Sequence, residues 1–97
     1  MKVGLEKLKS HEGIVVKALL DSGATGLFMD MIFARKKGFK MEKLKNPLLV
    51  KNVDRTVNVG GAIIHQVECN MFFKGHVERV RMDVYNLGKI EVILGML

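Results

Sequence analysis

The stretch Leu19-Leu20-Asp21-Ser22-Gly23-Ala24-Thr25-Gly26 decides how the rest of this chain is read. It ends an apolar run, Ile14 to Leu20, whose β-branched start and apolar faces predict a strand buried on both sides. The run delivers an acid, and a small hydroxyl residue and a glycine follow at once. A strand carries the carboxyl to the end of a sheet. Gly23 is expected to let the chain turn tightly behind it, at backbone angles that a residue with a Cβ resists. The Ser22 hydroxyl can then hydrogen-bond the turn and hold it. Asp and Gly are also ordinary turn residues, so the tripeptide gains its weight from what surrounds it.

Length and composition narrow the surroundings. Ninety-seven residues predict one domain, 1–97, small enough to gain from a partner. Hydrophobic content of 48% against 27% charged is globular rather than disordered. No apolar run approaches the roughly 20 residues of a membrane helix, so no membrane partner is expected. Met1 to Ser10 is basic and interrupted by charge, unlike a secretory signal. The lone Cys69 excludes an internal disulfide framework and fits a reducing, intracellular compartment. A net charge of +6 suits nucleic acid or acidic assemblies and says nothing about fold.

Along the chain, Val3, Leu5 and Leu8 can anchor an edge strand, and His11-Glu12-Gly13 a hairpin turn. Beyond the glycine turn, Asp30 can cap a helix over Met31 to Lys37, with cations in its last turn and Gly38 as its stop. Asn46-Pro47 predicts a break before a strand from Leu48 to Val53. Asp54 to Gly61 is a polar, glycine-bearing bend. Ile63, Val67, Cys69, Met71 and Phe73 share one parity, with Gln66, Glu68 and Asn70 on the other, a half-buried strand. Lys74-Gly75-His76 turns the chain, and Val80, Met82 and Val84 alternate with Arg79, Arg81 and Asp83. Successive period-2 strands predict antiparallel pairing. A last apolar strand, Glu91 to Gly95, follows. Six or seven short strands and one short helix predict an all-β fold with a small closed barrel.

Three features then stand in a familiar order: Ala18 to Thr25, the bend from Asn52 to Ile63, and Val92-Ile93-Leu94-Gly95-Met96. Together they resemble a retropepsin, most of all the protease of a gypsy-type LTR retrotransposon, with fungal elements among the sources suggested. The resemblance implies a single-lobe acid-protease fold. It makes Asp21 the catalytic acid, gives Ser22 interlocking hydrogen bonds between two active-site loops, and places Gly23 and Ala24 on the cleft floor. Thr25 joins the substrate-contacting positions. Val53, Asp54, Arg55 and Thr56 would belong to a flap closing over substrate. The late apolar strand would thread under the loop, with Ile93 and Leu94 supporting it and Ile93 also counted among the substrate contacts. Two departures stand out. Arg55 occupies a position where related elements usually carry glycine, and the family's C-terminal helix would be truncated after Leu97.

Hydrolysis by this route needs two acids around one water, and the sequence holds only one such tripeptide. The expected active form is therefore a two-fold homodimer that juxtaposes two Asp21 residues and cuts an extended peptide of a Gag-Pol-type polyprotein. Cytoplasm or a virus-like particle is the expected location. No cofactor is implied, and His11, His65 and His76 lack metal-ligand spacing with Cys69. Two other readings compete. One is a catalytically silent dimerisation or binding module of the same fold. The other takes Gly23-Ala24-Thr25-Gly26 as the Gly-x-x-Gly loop of a KH domain, with Arg35-Lys36-Lys37 serving single-stranded nucleic acid. The wider basic cluster Arg35 to Lys45 is read apart from it, as a solvated face or as a contact for RNA or the Gag polyprotein. A KH loop joins two helices, however, and Ile14 to Leu20 has strand composition.

Overall fold

A computed structural model describes residues 1–21, 23, 26–49 and 62–95. Seven strands and one helix follow in order: β1 (Lys2–Lys7), β2 (Gly13–Asp21), β3 (Leu27–Asp30), α1 (Met31–Lys36), β4 (Glu42–Leu49), β5 (Ala62–Phe73), β6 (His76–Tyr85) and β7 (Val92–Gly95). Neighbours run β1-β2-β7-β3-β6-β5, and β1 pairs back onto β5, which closes a six-stranded barrel. β5 is long enough to share one edge: its start pairs with β4 and its end with β1, while β6 takes the other edge. The fold is all-β with one short helix, compatible with a single retropepsin lobe.

The alternating β5 and β6 form a hairpin from His65↔Val84 to Phe73↔His76. Lys74 and Gly75 both take positive φ, 49° and 80°, the mirror-type turn whose twist matches its strands. Val67, Cys69, Val80, Met82 and Val84 point inward and meet Val3, Leu5, Val16, Ala18, Met29 and Val92. Leu5, Met29 and Met82 are at most 1% exposed, each contributing about 1.5–3 kcal/mol of burial.

α1 is set by local signals. The Asp30 carboxylate accepts the Phe33 N–H at 3.0 Å as N-cap. Gly38 sits at φ +75°, donating to the Arg35 carbonyl, while Phe39 donates to that of Ala34. This is the Schellman pattern, completed by Phe39 stacked on Phe33 at 6.4 Å between centroids.

Three expectations are corrected. β1 is no edge strand, because it lies between β2 and β5. β2 is buried on one side only: Val16 and Ala18 face the core, but Val15 is 72% exposed and Leu19 44%. Asn46-Pro47 does not break the chain; β4 runs through it, absorbing the dipeptide in a register shift between Lys43 and Leu48. β4 is the strand outside the closed ring, where a missing N–H and a bulge are tolerated.

Candidate active site

Asp21 is the last residue of β2, and β7 explains its position. β7 lies between β2 and β3, parallel to the first through Ala18↔Val92, Leu19↔Ile93, Leu20↔Leu94 and Asp21↔Gly95. It is antiparallel to the second, through Leu27↔Leu94, Phe28↔Ile93 and Met29↔Val92. Asp21 and Leu27 therefore stand on opposite sides of β7. Gly95 N–H ties the end of β7 to the Gly26 carbonyl at 2.7 Å. The late apolar strand thus lies between the strands that enter and leave this connection.

Within the loop, Gly23 N–H donates to Asp21 Oδ1 at 2.9 Å, which orients the half-exposed carboxylate. Gly23 does not adopt a left-handed backbone. The positive φ, +109°, falls on Gly26, so the conformational demand expected at Gly23 lies three residues later. A Cβ at Gly23 would sit 3.4 Å from Asp21 Oδ1, in van der Waals contact with the carboxylate.

Two further carboxylates frame this arrangement. Asp30, 5% exposed, accepts the Leu87 N–H at 2.9 Å through Oδ1 while its Oδ2 caps α1, so one side chain ties β3 to the segment after β6. Glu91 Oε1 accepts the Lys17 N–H at 2.8 Å, and the Glu91 carbonyl accepts from Asp30 N–H at 2.9 Å. The entrance of β7 is thereby pinned to both of its neighbours. The cap was legible from Asp30 and the helix pattern. The bonds to Leu87 and from Lys17 join residues more than fifty positions apart and leave no local signal.

A family model described as the PEG10/RTL1 protease domain matches residues 17–97. The chain belongs to this family. The PEG10/RTL1 protease domain is retropepsin-like and retrotransposon-derived, and strands β2 and β3 on either side of the connection after Asp21 are incompatible with the helix–loop–helix of a KH domain.

Of the expected site residues, the structure places Asp21 and Gly23 together, whereas Ile93 lies two register positions back on β7, opposite Leu19, and Gly95 is the residue opposite Asp21. Ile93, half-buried, pairs laterally with Leu19 and Phe28 on the outward face, not on the core side. Ser22, Ala24, Thr25, Val53, Asp54, Arg55 and Thr56 lie outside the described residues. Leu20 is a feature that the sequence reading missed. It shares the parity of Val16 and Ala18, yet is 56% exposed because the strand has reached the rim of the barrel. No local pattern separates it from its buried neighbours. Among the described residues, no helix is long and apolar enough to cross a membrane.

Proposed function

We propose that the chain is an aspartic endopeptidase that works as a homodimer, with Asp21 of each copy flanking one water. The observation that carries this reading is the Asp21 carboxylate at the end of β2, hydrogen-bonded by Gly23 N–H, on a strand held in register by β7. One carboxylate takes a proton from the water while the other, protonated, donates to the scissile carbonyl. Two such acids a few ångströms apart share a proton and titrate as a pair. A two-fold axis through the rim uses the same patch twice and covers Leu20, whose exposure in one copy supports self-association. The substrate is an extended peptide of a retrotransposon polyprotein, paired through its backbone and read by apolar pockets, with Leu19 and Ile93 supplying apolar surface close to the acid. The gypsy-type lineage and the flap role of Val53 to Gly61 belong to the same reading.

The test is Asp21→Asn. The variant should keep the circular dichroism spectrum and lose pepstatin-sensitive cleavage of an apolar-site peptide by at least about a thousandfold. Undiminished cleavage removes Asp21 from the chemistry. A dimer without cleavage in the parent chain favours the silent module.

A further inference from the structure

The segment from Arg35 to Lys45 carries Arg35, Lys36, Lys37, Lys40, Lys43 and Lys45 against the single acid Glu42. Five of the chain's six net positive charges therefore fall within eleven residues. All six cations are exposed, and none makes an ion pair among the described residues. The acids are engaged elsewhere: Glu12 with Lys7, Glu6 with His11, Glu68 with Arg79 and Arg81, and Asp30 on backbone N–H groups. The cations run from the last turn of α1, through the Gly38 turn, into β4.

Two local roles account for only part of this charge. Cations in a last helical turn complement its dipole, and lysines on an edge strand discourage edge pairing. Each role is met by one or two residues. Lys40 belongs to neither element, and six like charges in so short a segment repel one another. We infer that this strip binds the phosphate backbone of single-stranded RNA without sequence preference.

The partner class follows from the strip's shape and from its few exposed apolar groups. Lys43 and Lys45 stand two residues apart on an extended strand, about 6.6 Å by strand rise, which suits a regularly charged polymer. Phe39, the segment's aromatic residue, is 5% exposed and leaves no ring for base stacking, which removes the usual source of base preference. Met41 and Leu44 are half-buried, and the exposed Ile32 and Leu48 lie outside the segment, so the strip offers little to insert into a bilayer.

The test is fluorescence anisotropy with a labelled oligouridylate and the 97-residue chain. Six phosphate contacts predict a slope of log affinity against log salt of about −4. Replacing Lys36, Lys37, Lys43 and Lys45 with Gln should bring the slope to about −1.5 and weaken binding at least about tenfold at moderate salt. A variant with Lys2, Lys9, Lys17 and Lys89 replaced with Gln has the same net charge and should bind within about threefold of the parent. Melting curves establish that both variants fold. Equal losses in the two variants, or no RNA binding by the parent, overturn the proposal. So does tighter binding of polyglutamate or phosphatidylserine vesicles than of RNA, because the strip would then serve an acidic protein or a membrane.

Discussion

Asp30 offers the sharpest test of how the fold holds its rim together. Its buried carboxylate satisfies two backbone donors, Phe33 N–H at 3.0 Å and Leu87 N–H at 2.9 Å. Truncation to Ala removes the helix cap, worth about 1 kcal/mol, and strands a buried N–H, which costs about 1–3 kcal/mol. The expected loss for Asp30→Ala is thus about 2–4 kcal/mol. At about 4–8 °C per kcal/mol for a domain of this size, the midpoint should fall by about 8–32 °C. Asp30→Ser separates the two roles, because a serine hydroxyl still caps α1 but is too short to reach Leu87 as well. Serine should therefore lie about 1 kcal/mol above alanine and about 1–3 kcal/mol below the parent. Urea unfolding followed by circular dichroism gives all three values. A loss under about 0.5 kcal/mol for alanine, within the range of ordinary surface changes, would refute the argument, as would a serine variant as stable as the parent.

Other outcomes follow from the same geometry. Gly38→Ala puts a Cβ on a residue at φ +75° and 3.1 Å from the Lys7 ammonium. The ammonium can move but the backbone cannot, so urea titration should show a loss of about 1–2 kcal/mol. Burial, and secondarily the charge of Glu68, pushes the Cys69 thiol up to about 11. With the folded pKa raised, this contribution is whole below the ordinary thiol pKa and is lost as pH climbs toward about 11. Unfolding free energies measured from pH 7 to 11 should therefore fall more steeply for the parent than for Cys69→Ala, by roughly 2–3 kcal/mol across that window. Identical slopes would show that Cys69 does not ionise differently on unfolding.

The parts of the fold that could be read in advance are those whose causes are local. The parity of Val67, Cys69, Val80 and Met82 reports its own burial because a strand's period is two. Asp30 and Gly38 announce the ends of α1 because capping acts within one turn. What escaped depends on distant partners. Gly4↔Phe72 makes β1 an interior strand, and no pattern within Lys2 to Lys7 encodes that pairing. Asn46-Pro47 is tolerated because β4 lies outside the ring, a fact of topology rather than of the dipeptide. Ile14 to Leu20 has the composition of a doubly covered strand, but the described chain covers one face. The demand for glycine falls on Gly26 rather than Gly23, and the Gly26 carbonyl is tied to Gly95 N–H, some seventy residues away.

The same separation bears on the candidate site. Asp21 was legible as a carboxyl at a strand end, but a carboxyl there is useful for bond cleavage only if its position is fixed to a fraction of an ångström. The fixing comes from groups that no short motif contains. Gly95 pairs with Asp21 and donates to Gly26, Glu91 joins Lys17 to Asp30, and Asp30 holds Leu87. These contacts brace both strands, β2 and β3, that flank the connection after Asp21. Hydrogen-bond and register constraints of this kind fix the end of β2 independently of which side chain stands at Asp21. That is why the Asp21→Asn variant should lose cleavage without losing its fold, whereas Asp30→Ala should destabilise the frame that holds Asp21 in place.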